Sequence, residues 1–175
     1  NTQLVVPAMR TEPPESEQHT GEFSDRLPAL VETLGTLVLF TSARQMREVY
    51  AQLPEELRRV TLVQGSMPKG EMLARHRAAV DRADRSVLFG LSTFAEGVDL
   101  PGEYCTHVVI AKLPFSVPDS PLEEARREWV ESRGGSPFIE ITVPEAAVRL
   151  KQGLGRLLRT IHDRGRVTIL DRRIV

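Results

Sequence analysis

A single cysteine, Cys105, denies this 175-residue chain an internal disulfide or a cluster held by its own thiolates. It sits in an apolar strand, where a small buried side chain is the expected role. The four histidines, at 19, 76, 107 and 162, show no metal-ligand spacing, and no metal site is expected. There is no run of 18 apolar residues, hence no candidate membrane helix, and no signal-peptide pattern at the start. Also missing is GxxxxGK[ST], the loop whose lysine reaches the β- and γ-phosphates of a nucleotide. Gly65 to Gly70 (GSMPKG) lacks its terminal Gly-Lys-Ser/Thr order. No acidic cluster suited to Mg²⁺ ends a strand, and neither Gly-x-Ser-x-Gly nor a Cys/His pairing offers a nucleophile. Alone, the chain is not expected to turn over a nucleotide. It begins at Asn1 without a methionine and reads as a piece of a longer protein.

What is present is an ordinary globular composition, 41% apolar and 27% charged, long enough to bury a full core and expected to form one domain over 1–175. The net charge of −1 argues against a generic nucleic-acid binder. Yet every charged residue from Thr11 to Asp25 is acidic, whereas basic residues dominate from Ala146 onward.

Hydrophobic patterning predicts alternating strands and helices. Asn1 to Pro7 reads as a short strand, and the Pro- and Glu-rich residues 11–23 as a loop. A helix capped by Ser24 or Asp25 then runs to Leu34. Continuous apolar runs mark buried strands at Thr36 to Phe40, Arg59 to Val63, Ser86 to Leu91, Thr106 to Ala111 and Arg166 to Leu170. Between them lie helices from Ser42 to Leu53 and Pro68 to Ala83. Residues 113–142 form a Pro-rich linker and a helical insertion, Leu122 to Glu131. Capping boxes are expected at Ser42/Gln45, Thr93/Glu96 and Thr142/Glu145. This alternation specifies an α/β fold with a mainly parallel sheet and right-handed crossovers.

Ligands of such sheets bind at the carboxyl ends of the strands. Three polar turns fall there: Thr41-Ser42, Gln64-Gly65-Ser66 and Ser92-Thr93, together suited to a tracked phosphate backbone. Later comes Gln152-Gly153-Leu154-Gly155-Arg156-Leu157-Leu158-Arg159. On a helix, Gln152, Arg156 and Arg159 leave one face, extended by Arg149, while Ala147, Leu150, Leu154, Leu157 and Ile161 leave the other. Gly153 and Gly155 each cost about 1 kcal/mol relative to alanine there, a cost that close approach of a nucleotide or backbone explains. A solvated basic face accounts for the spacing equally well. Asp99, beside Gly97, suits a hydroxyl partner such as a ribose better than a metal.

Together these residues resemble the second RecA-like motor domain of superfamily 2 helicases. Thr36 to Ser42 is similar to motif IV, Ser92 to Asp99 (SxxxEGxD) to motif V and Gln152 to Arg159 (QxxGRxxR) to motif VI. Leu113-Pro114-Phe115, Pro118, Pro121, the Glu123-Glu124-Ala125-Arg126 helix and Asp171-Arg172-Arg173 resemble the XPD-like branch, and within it the bacterial DinG/YoaA members. The resemblance implies half of an ATP-dependent DNA helicase translocating 5′ to 3′ on single strands. ATP and Mg²⁺ would be shared with a first RecA-like domain of the same polypeptide, which would also hold any iron–sulfur cluster. Arg156 and Arg159 would be arginine fingers, and Gln152 would sense the γ-phosphate. Gly97 and Asp99 would contact nucleotide, with Glu96 steadying their turn. Thr41, Ser42, Gln64, Ser66, Ser92 and Thr93 would hold phosphates of single-stranded DNA. A monomer in the bacterial cytoplasm is the implied setting. The alternative is a stand-alone module that binds single-stranded nucleic acid without a motor.

Overall fold

Segments that are apolar on both sides build the sheet around which the other elements pack. The computed structural model describes residues 2–12, 16–115, 120–157 and 165–174, with 152–157 described by backbone alone. Strand β1 (Thr2–Val5) is followed by α1 (Ser16–Leu30), β2 (Gly35–Phe40), α2 (Ala43–Gln52) and the short α3 (Glu55–Arg59). Next come β3 (Thr61–Val63), α4 (Lys69–Asp81), β4 (Ser86–Leu91) and β5 (His107–Ile110). Helices α5 (Pro121–Ser132) and α6 (Val143–Leu157) precede β6 (Gly165–Ile169). The strands lie in the order β1-β6-β5-β2-β4-β3, and every pairing is parallel.

All of β2 and all of β5 are buried, as their unbroken apolar runs require. Alternate residues serve opposite faces. Val38, Phe40, Val87 and Phe89 pack with Phe23 and Leu27 of α1 and Met46 and Val49 of α2. Phe40 carries the centre of that layer, with ring centroids 5.6 Å from Phe23 and 5.0 Å from Phe89. Leu37, Leu39, Leu88, Val108 and Ile110 face the other way, onto Met72 of α4 and onto Phe94, Ala95 and Val98 beyond β4. The result is the three-layer arrangement that the alternation predicts.

Several local expectations are corrected. Residues 11–23 are not one loop, because α1 begins at Ser16. His19, Thr20, Phe23 and Leu27 form its buried stripe, and two polar members hid that periodicity from an apolar count. Glu22 fastens the preceding segment to the helix, accepting hydrogen bonds from the amides of Arg10 (3.0 Å) and Thr11 (2.9 Å) and from the Thr11 hydroxyl (2.7 Å). Those donors outweigh the effect of burial and hold its pKa at about 2. Thr142 does not cap α6, since a π-helical turn, Phe138–Thr142, runs into it. The Thr142 hydroxyl donates back to the Pro137 carbonyl, and Glu145 pairs with Arg126 at 3.0 Å. Ala147 is exposed, and Ala146 takes the buried position instead. Cys105 is buried as expected, in a 3-10 turn (Gly102–Cys105) ahead of β5 rather than in a strand; burial pushes its thiol up to about 12.

Candidate nucleotide and nucleic-acid site

Strands β2, β4 and β3 are neighbours, so the three polar turns meet on one carboxyl edge. They are tied to one another. The Gln64 amide donates to the Phe89 carbonyl at 2.8 Å, and its side-chain oxygen accepts from the Leu91 amide at 2.8 Å. Gln64 therefore extends the β3–β4 ladder by one residue. The Ser92 hydroxyl donates to the Phe40 carbonyl at 3.2 Å, joining the end of β4 to that of β2. Ser66 turns its hydroxyl back onto Val63, 2.7 Å away. Gly65, at φ +91°, makes the turn between them possible.

Ser42 caps α2 as expected, its oxygen accepting from the Gln45 amide at 3.4 Å. The reciprocal half of that box is replaced. The buried Gln45 side chain donates instead to His19 Nδ1 (3.3 Å) and to the Thr20 hydroxyl (3.2 Å). Thr93 is not a cap: residues Ser92–Gly97 form a 3-10 turn that no side chain caps. It is exposed, as is Thr41. Both present their hydroxyls at the edge.

Gly97 and Asp99 follow on the same turn and are exposed. The Asp99 carbonyl accepts from the Arg77 guanidinium at 2.6 Å, so α4 braces the backbone of this turn. A side chain at position 97 would begin 2.9 Å from Lys69 Nζ. Lys69 opens α4 and reaches across to donate to the Phe94 carbonyl at 3.2 Å, its ammonium 4.8 Å from the Phe94 ring centroid. Lys69 lies in Gly65 to Gly70 (GSMPKG), which matches no phosphate loop, and the sequence alone does not single it out. Helix α6, which carries Gln152 and Arg156 in its C-terminal half, packs against the Ser92–Gly97 turn. The side chains of Glu96, Gln152 and Arg156, and all of Arg159, lie outside the described residues. Arg149 is exposed and donates to the Pro114 carbonyl at 3.4 Å.

At the β5 and β6 ends the carboxyl edge is built differently. Asp171 is wholly buried and accepts from the amides of Leu113 (2.8 Å) and Arg173 (3.0 Å), and from Arg173 Nε (2.9 Å) and Nη2 (2.6 Å). Burial alone would raise its pKa, but these donors outweigh it and hold the carboxyl below the usual range. The Arg173 guanidinium stacks 4.5 Å from the Phe115 ring centroid. His19, kept neutral chiefly by burial, donates Nε2–H to the Leu170 carbonyl at 2.9 Å. Leu113-Pro114-Phe115 and Asp171-Arg172-Arg173, quoted above for the resemblance, thus meet in one network with His19, a union of three separate segments that neither motif announces alone.

Among the described residues no group of three His, Cys, Asp or Glu side chains could hold a metal ion. Mg²⁺ would thus need ligands from elsewhere, and one buried cysteine does not fit an iron–sulfur cluster. No described helix is long and apolar enough to cross a membrane.

An all-parallel sheet with its polar turns stitched along one carboxyl edge, and helix α6 set against the turn after β4, makes a RecA-like three-layer α/β fold. A family model described as the helicase C-terminal domain matches residues 29–175. An ATP-dependent DNA helicase DinG of Photobacterium profundum is 42% identical over 179 residues, covering 100% of this chain and 26% of that protein. DinG of Escherichia coli is 39% identical over 177 residues, covering 98% of this chain and 25% of its own length. Two XPD structures share the fold: an XPD helicase at TM-score 0.73 and 20% identity, covering 99% of this chain and 32% of that one, and S. tokodaii Xpd4 at TM-score 0.73 and 17% identity, covering 99% and 34%. The chain belongs to the helicase C-terminal domain family, in the branch of XPD- and DinG-like helicases. It spans about a quarter of the length of the curated relatives it matches.

Proposed function

We propose that this domain is the C-terminal half of an ATP-dependent DNA helicase that moves 5′ to 3′ along single-stranded DNA. The observation that carries the reading is the contact between α6 and the Ser92–Gly97 turn. It brings a helix that bears Gln152 and Arg156 against the turn that leads to the exposed Gly97 and Asp99. Because the chain lacks a phosphate-gripping lysine loop, the ATP and its Mg²⁺ are held mainly by a first motor domain of the same polypeptide. Arg156 and Arg159 then act as fingers that reach the γ-phosphate when the two domains close, with Gln152 reading the same phosphate. Hydrolysis removes their partner and lets the domains part.

Guanidinium groups suit this task because charge accumulates on the transferred phosphoryl oxygens, and a planar fork of N–H donors matches it. Thr41, Ser42, Gln64, Ser66, Ser92 and Thr93 line the edge along which the DNA backbone passes. The test is Arg156→Ala in the intact protein. An arginine finger is worth about 10³-fold or more in turnover, roughly 4 kcal/mol of transition-state stabilisation. DNA-stimulated ATP hydrolysis should fall by that order while the folded state and oligonucleotide binding persist. Turnover near that of the unmodified protein would remove Arg156 from the mechanism.

A further inference from the structure

The polar turns that meet the DNA in this reading have a shortage. An anionic backbone is drawn by N–H or O–H donors and by positive charge, and the residues of the three turns supply hydroxyls and an amide but no charge of their own. The Ser66 proton goes to Val63 and the Ser92 proton to Phe40, while Ser42 accepts from the Gln45 amide and keeps its own proton. Gln64 uses its main-chain amide and its side-chain oxygen to bind β4. These contacts shape the edge; they contribute little attraction for a phosphate.

Lys69 stands where the missing charge is needed. It begins α4, just past the turn after β3, and its side chain crosses to the turn after β4. One of its three N–H donors is used on the Phe94 carbonyl, and the residue is exposed, which leaves two donors for another partner. Among the described residues its ammonium meets no carboxylate. Gly97 completes the arrangement. Its φ is not positive, so the backbone does not require glycine there; Lys69 Nζ lies 2.9 Å from where a Cβ would stand, so a side chain at 97 would displace the ammonium from its present seat.

We infer that Lys69 is a phosphate contact for single-stranded nucleic acid, a cation shared between the turns after β3 and β4 and seated on the side-chain-free surface of Gly97. The inference rests on the reading that this edge meets nucleic acid. It adds the residue that supplies the charge. Binding through Lys69 is indifferent to base sequence, since an ammonium reads only the backbone.

The experiment is the salt dependence of oligo(dT) affinity in the intact protein, compared with Lys69→Met and Lys69→Arg. Losing one single-strand phosphate contact lowers the slope of log affinity against log salt by about 0.7. Lys69→Met should show that drop with an unchanged melting temperature, and Lys69→Arg, which keeps the charge, should restore the slope. A slope retained in Lys69→Met overturns the assignment of Lys69 alone. A slope lost equally in Lys69→Arg and Lys69→Met assigns the residue to packing and overturns it too. If the unmodified protein binds with no salt dependence, the nucleic-acid reading of the whole edge fails, and the role of Lys69 with it.

Discussion

The two halves of the same carboxyl edge treat charge in opposite ways. At β5 and β6, Asp171 is sealed from water and meets four N–H donors, while Arg173, its partner, stacks on Phe115. At β4 and β3, Lys69 is exposed and meets one carbonyl. The first half is complete in itself, and its charges hold the chain end to the start of the 113–142 segment. The second is complete only with something added. Breaking the first should cost stability, because it strands buried donors, whereas removing the second should leave the fold nearly unchanged.

That contrast is open to measurement. Asp171→Ala should be the costliest change to the fold, about 3 kcal/mol, because it strands a partly buried guanidinium and the Leu113 amide; urea unfolding of the domain measures it. Since the folded pKa of Asp171 lies below its ordinary 3.8, its contribution is present above that value and disappears as pH falls through the folded pKa. Glu22→Gln should cost about 2 kcal/mol, the worth of charge-assisted hydrogen bonds to a carboxylate. With a folded pKa of about 2 against 4.5, its contribution is whole above pH 4.5 and is lost as pH falls through about 2. Unfolding midpoints of wild type and Glu22→Gln should therefore converge on acidification. Ser42→Ala, which removes a cap, should cost about 1 kcal/mol by the same assay. Lys69→Met should move stability least, within about 0.5 kcal/mol, although it alone among these changes alters the salt slope of DNA affinity. A large stability loss in Lys69→Met would erase the distinction between the two halves.

The strands were legible because a strand buried on both faces leaves an unbroken apolar run, and Thr36 to Phe40 and Ser86 to Leu91 lie within β2 and β4 to a residue. The polar turns could be placed for the same reason: they begin where such runs stop. The start of α1 was not legible, because His19 and Thr20 occupy inward positions and are satisfied by Leu170 and Gln45, distant in sequence. The caps at Thr93 and Thr142 were misread because a capping box is a local pattern that tertiary packing overrode with a 3-10 turn and a π turn. Lys69 was invisible for a related reason. Its acceptor is 25 residues away, and no local pattern encodes a side chain that crosses between two turns.

The bonds made by Gln64 and Ser92 have a mechanical meaning. A tug on any one of the three turns is passed sideways into β3, β4 and β2 together, along their length. Hydrogen bonds between parallel strands then share the pull in shear rather than opening one after another, the geometry in which a sheet yields least. An edge fastened in this way holds the ends of β3, β4 and β2 at fixed spacing, so no one of the three turns can shift without straining its neighbours.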